Sequence, residues 1–102
     1  MKIPKKIKIK AKKFTIEFDK EALRDDSRYG VYYGTKQKII LDETQKKDQL
    51  DNSFLHEVLH AIIDCNALRV DLRDRDLQEK VVTAISEDLL LVIRENNLDF
   101  RK

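Results

Sequence analysis

Cysteine, proline, glycine and long apolar runs are all scarce in this chain, and each shortage excludes a class of protein. Cys65 is the only cysteine, so no internal disulfide can form and a reducing compartment is the expected setting. One proline and two glycines in 102 residues argue against disorder, a collagen-like repeat or a loop-rich scaffold. The longest apolar run, Leu89 to Ile93, is far short of the roughly 18 residues of a membrane span. Met1-Lys2-Ile3-Pro4-Lys5-Lys6 leads into no apolar core, so no secretory signal is expected. These shortages together predict a soluble cytoplasmic protein with no membrane partner. The net charge of +2 is too small to imply a nucleic-acid partner. Histidine is also scarce: His56 and His60 are the only two.

The apolar content of 41% and charged content of 39% suit a single domain with a modest core and a densely charged surface. The first half reads as strands. Lys6–Lys10 and Phe14–Phe18 alternate polar with apolar residues, the period-2 signal of a half-buried strand, and 11–13 suits the turn between them. The charged stretch from Asp19 to Arg28 reads as a loop. Tyr29–Tyr33 and Gln37–Leu41 form a second strand pair, joined at Gly34-Thr35-Lys36 by a turn needing one residue at positive φ. Alternation places Tyr32 and Tyr33 on opposite faces, one in the core and one at the surface.

The second half reads as helices. Leu55, Val58, Leu59, Ile62 and Ile63 recur at helical spacing, in a helix starting between Gln45 and Asp51 and ending near Cys65-Asn66. A connector over 67–74 follows, with Leu68, Val70 and Leu72 packed under the sheet. Asp76 is then expected to cap a last helix carrying Val81, Val82, Ile85, Leu89, Val92 and Ile93, which stops around Asn96-Asn97. The expected fold class is α+β: a small, mostly antiparallel sheet of three or four strands packed on the histidine-bearing helix and a C-terminal helix, in one domain over 1–102.

The chemistry concentrates in His56-Glu57-Val58-Leu59-His60. Residues i and i+4 lie on one helix face, so both imidazoles can meet a single zinc ion at about 2.0–2.1 Å. Glu57 points about 100° away around the helix, where a carboxylate stands beside a metal-activated water and serves as general base. The competing structural reading is a core helix whose histidines bond locally. On the helical wheel the aliphatic stripe centres between Leu55, Leu59 and Ile62, with both histidines at its margin.

A catalytic zinc site needs a third protein ligand, and with no other histidine that ligand should be a carboxylate. Asp64 lies about 12 Å along the helix axis from His56, too far to share the ion. The last helix offers Glu79, Glu87, Asp88 and Glu95. Glu79 sits at the edge of the apolar face, whereas Glu87 projects with Lys80, Thr83 and Arg94 on the polar face, so Glu79 is the first choice. Asp76-Leu77-Gln78-Glu79 also has the form of a capping box, which would engage Glu79 in a helix cap instead. Asp88 is a second candidate.

Phe54-Leu55-His56-Glu57-Val58-Leu59-His60-Ala61-Ile62 resembles the signature of compact phage and prophage zincin-like metallopeptidases, distantly similar to ImmA/IrrE-type peptidases. Glu79-x-x-Val82-x-x-Ile85-Ser86-x-x-Leu89-Leu90 resembles that group's third-ligand helix, and Arg28-Tyr29-Gly30 with Ile39–Asp42 its hairpin ahead of the zinc helix. The resemblance implies a gluzincin arrangement, a minimal zincin with Zn2+ on His56, His60 and Glu79, with Glu57 as catalytic base and a protein or peptide substrate. The chain departs from the group at Asp88, where a small residue is usual. The alternative is a non-catalytic zinc-binding or protein-interaction module.

Residues 1–13 hold seven lysines and no acid. They suit an edge strand whose outward lysines discourage aggregation better than a nucleic-acid interface. Cys65 reads as a small apolar group at the end of the histidine helix.

Overall fold

The computed structural model describes residues 2–19, 29–66, 68, 71–96 and 98. Four strands, β1 (Lys6–Ile9), β2 (Lys12–Phe18), β3 (Gly30–Tyr33) and β4 (Lys38–Leu41), precede helices α1 (Lys47–Cys65) and α2 (Arg75–Glu95). The turn between β1 and β2 is tighter than the sequence suggests: Lys12 and Lys13 are already in the strand, and Lys10 takes the positive φ of 55°. Between β3 and β4 the positive φ falls on Gln37, not on Gly34. The expected loop from Asp19 to Arg28 lies outside the described residues beyond Asp19.

The sheet order is β1-β2-β4-β3. Both local hairpins are antiparallel, but the central pair β2–β4 is parallel, so the sheet is mixed. Phe14, Ile16, Ile39 and Leu41 are buried, and Ile16, Ile39 and Leu41 form the main core cluster with Phe54 of α1. Val31 and Ile40, paired across β3–β4, make a smaller cluster on the opposite face. β1 is an edge strand with Lys6 and Lys8 exposed. Tyr32 packs against the core and Tyr33 is exposed, as alternation requires.

Helix α1 packs against the sheet, and α2 packs on α1. The buried residues of α1 are therefore not the expected Leu55–Leu59–Ile62 stripe. Phe54, Glu57, Ala61 and Ile63 are buried instead, and Ile62 is exposed. Helix α2 buries Val82, Ser86 and Leu90, leaving Ile85, Leu89 and Val92 exposed, because α1 is its main packing partner. Leu68 in the connector is exposed rather than packed under the sheet, and Ala67 and Val70 lie outside the described residues. Among the described residues no helix is long and apolar enough to cross a membrane.

Candidate metal centre

The cap of α2 decides what Glu79 is free to do. Asp74, not Asp76, is the N-cap: its side chain accepts from the backbone N–H groups of Asp76 at 3.0 Å and Leu77 at 3.2 Å. The helix begins at Arg75, so Glu79 falls at the fifth helical position, too late for a capping box. Its carboxylate instead reaches across to α1. His56 Nε2 lies 3.0 Å from Oε2, and His60 Nε2 lies 2.9 Å from Oε1. The two imidazole rings meet edge to face, with centroids 5.0 Å apart.

One ligand atom from each of His56, His60 and Glu79 lies within 4.8 Å of the others, forming a potential metal-binding group among the described residues. Tetrahedral bonds of about 2.05 Å would place neighbouring ligand atoms about 3.3 Å apart, inside that 4.8 Å limit and a little beyond the 3.0 and 2.9 Å that separate Glu79 from His56 and His60. Glu87 and Asp88 are exposed on α2 and stand outside this group, as do Asp64 and Glu95. Asp64 instead accepts a 2.7 Å hydrogen bond from the Tyr32 hydroxyl. Cys65 is half-buried and is also no member of the group.

The donor chemistry fits a cation. His60 faces an acceptor at each ring nitrogen: Gln78 Oε1 lies 2.6 Å from Nδ1, and Glu79 Oε1 lies 2.9 Å from Nε2. A neutral imidazole has one N–H and cannot donate at both. A cation between Nε2 and the carboxylate would satisfy both atoms and leave the one N–H of the ring for Gln78. Burial by itself pushes the Glu79 carboxyl up, but the hydrogen bonds and positive charge of His56 and His60 outweigh it and hold it below the ordinary carboxylate range. Glu79 thus presents a charged carboxylate to the two imidazoles.

Glu57 is buried, unlike Glu79, and sits against the start of β3. A Cβ at Gly30 would stand 3.2 Å from Glu57 Cγ and 3.0 Å from Leu41 Cδ2, so the glycine leaves the room that the Glu57 side chain occupies. Gly30→Ala is expected to cost about 1–3 kcal/mol by overpacking and to displace the Glu57 carboxylate while leaving metal binding intact. Urea denaturation and metal titration of the variant check this. Gln45 pins the same strand to α1: its Nε2 donates to Tyr29 O at 3.0 Å and Asp42 O at 2.7 Å, and its Oε1 accepts from Ser53 Oγ at 2.9 Å.

These elements enclose a cleft of about 860 Å³ between β3, α1 and the first turns of α2, with His56, Glu57, His60 and Glu79 in its wall. Asn52, one turn before His56, also lines it, and its Oδ1 is buried with no hydrogen-bond partner among the described residues. The sequence reading missed Gln78, Gly30 and Asn52. Asn52 had a signal, because its spacing continues the series His56 and His60 backwards by one turn; the other two depend on contacts between distant segments. Comparison with protein-family models, with curated proteins and with solved structures finds no match, so the functional reading rests on the geometry of this cleft.

Proposed function

We propose that the protein is a zinc-dependent peptidase of minimal zincin type, with His56, His60 and Glu79 as metal ligands and Glu57 as general base. The observation that carries this reading is the convergence of the three ligand groups in a cleft that also presents a buried carboxylate. Zinc held there supplies Lewis acidity, making water more acidic and polarising a substrate carbonyl. Glu57 accepts the proton of the attacking water and later returns it to the leaving amine.

The test is cleavage of a mixed peptide library by zinc-loaded protein, comparing wild type with Glu57→Gln. Zinc content is expected to be unchanged, and kcat to fall by about 10²–10⁴-fold, the usual contribution of general-base catalysis. Equal rates in the two proteins would remove Glu57 from the mechanism.

One observation favours a second reading. Two ligands come from α1 and one from α2, whose main packing partner is α1, so a shared metal would staple the helices together. Zinc that stabilises the fold while no peptide is cleaved would mark the site as structural.

A further inference from the structure

Resting on the zinc-site reading, we propose that Gln78 is a positioning residue for His60, fixing which ring nitrogen is available to the metal. A side-chain amide can be turned either way about its last bond, and the two orientations exchange its donor and acceptor. Here the backbone removes the ambiguity. Gln78 Nε2 lies 3.0 Å from the carbonyl oxygen of Leu72, which can only accept. The amide N–H group must therefore face Leu72, which turns Oε1 toward His60 Nδ1 at 2.6 Å. An acceptor at that position requires the proton on Nδ1. The lone pair of the neutral ring then lies on Nε2, the nitrogen that points at Glu79 and the shared metal position.

The chain from Leu72 through Gln78 to His60 runs from the connector to the metal group. It is held in place by the cap of α2, since Asp74 binds the two N–H groups just before Gln78 and the Asp74 carbonyl accepts from Gln78 N at 2.9 Å. Free imidazole has a freely exchanging tautomer, and a ligand histidine with no partner at its second nitrogen must be ordered when metal binds. Gln78 orders it beforehand, as partners of the non-ligating nitrogen do at metal sites.

Two variants separate this role from a merely structural one. Gln78→Leu removes the acceptor for His60 and the donor to Leu72. Gln78→Glu keeps an acceptor for His60 but gives up the donor to Leu72. Zinc affinity measured by competition with a chromophoric chelator is expected to fall about 10–100-fold in Gln78→Leu. It should stay at or above the wild-type value in Gln78→Glu. Because an added carboxylate also attracts zinc, long-range nitrogen–proton spectra of the zinc-loaded proteins supply a second readout. Wild type and Gln78→Glu should show His60 bound through Nε2 with a protected proton on Nδ1, and Gln78→Leu should lose that protection. Unchanged zinc affinity in Gln78→Leu, an equal loss in both variants, or His60 bound through Nδ1 would each overturn the assignment. A wild-type protein that binds no zinc would overturn the metal reading itself, and so is distinguishable from all three.

Discussion

Zinc at a hundred times its dissociation constant is expected to raise the thermal midpoint of the protein by roughly 10–20 °C. Ligand binding to the folded state alone stabilises by about 2.7 kcal/mol at that ratio. In a domain of this size each kcal/mol moves the midpoint by roughly 4–8 °C. The folded state holds His56, His60 and Glu79 together only because α2 lies against α1, and the unfolded chain has no such arrangement to offer. The shift should vanish with a chelator and be largely lost in Glu79→Ala, which leaves two imidazoles one helical turn apart. Two ligands bind zinc far more weakly than three, and a loss of about 100-fold or more in affinity is expected if ligand contributions divide evenly from the roughly 10–16 kcal/mol of full sites. Scanning calorimetry with and without zinc measures both effects. A wild-type midpoint indifferent to zinc, or a Glu79→Ala variant that responds equally, would remove Glu79 from the site.

The largest loss of stability without metal is expected at Asp51, a residue with no part in the cleft chemistry. Its carboxylate is 1% exposed and accepts from Lys47 Nζ and Arg94 Nη2, each at 2.8 Å. Arg94 also reaches Asp48 at 3.2 Å, so a single arginine near the end of α2 ties down the first turns of α1. Removing one member of a fully buried pair costs about 3–5 kcal/mol, because the remaining charge is stranded. The Lys47 and Arg94 side chains are 59% and 36% exposed and recover part of their hydration, so Asp51→Ala should cost roughly 2–4 kcal/mol. Urea denaturation measures this directly. A cost below about 1 kcal/mol would show that the ion pairs do not hold the two helices together. Asp51→Ala should lower the zinc affinity far less than Glu79→Ala, since Asp51 stands outside the His56–His60–Glu79 group.

Much of the fold was legible because its elements are locally encoded. The alternation of Lys6-Ile7-Lys8-Ile9 and the helical spacing of Leu55, Val58, Leu59, Ile62 and Ile63 each require only a few neighbouring residues, and the corresponding strand and helix are present, although the helix buries a different face. The i, i+4 spacing put His56 and His60 on one helix face for the same reason. The start of α2 was misplaced by a small margin with a large consequence. The sequence reading puts the cap at Asp76 and the structure puts it at Asp74, and that difference decides whether Glu79 is engaged by a helix end or free to face the histidines.

What the order of residues could not reveal depends on segments far apart in the chain. Two hairpins can be read locally, but the parallel pairing of β2 with β4 is a choice between assembled hairpins. The burial of Asp51 depends on Arg94, 43 residues away, and the room for Glu57 depends on a glycine in another element. Helical periodicity supplied two imidazoles and an adjacent carboxylate, because a helix repeats over four residues whatever surrounds it. Packing of α2 on α1 supplied the second carboxylate, since only the fold can bring Glu79 within reach of a side chain 23 positions earlier.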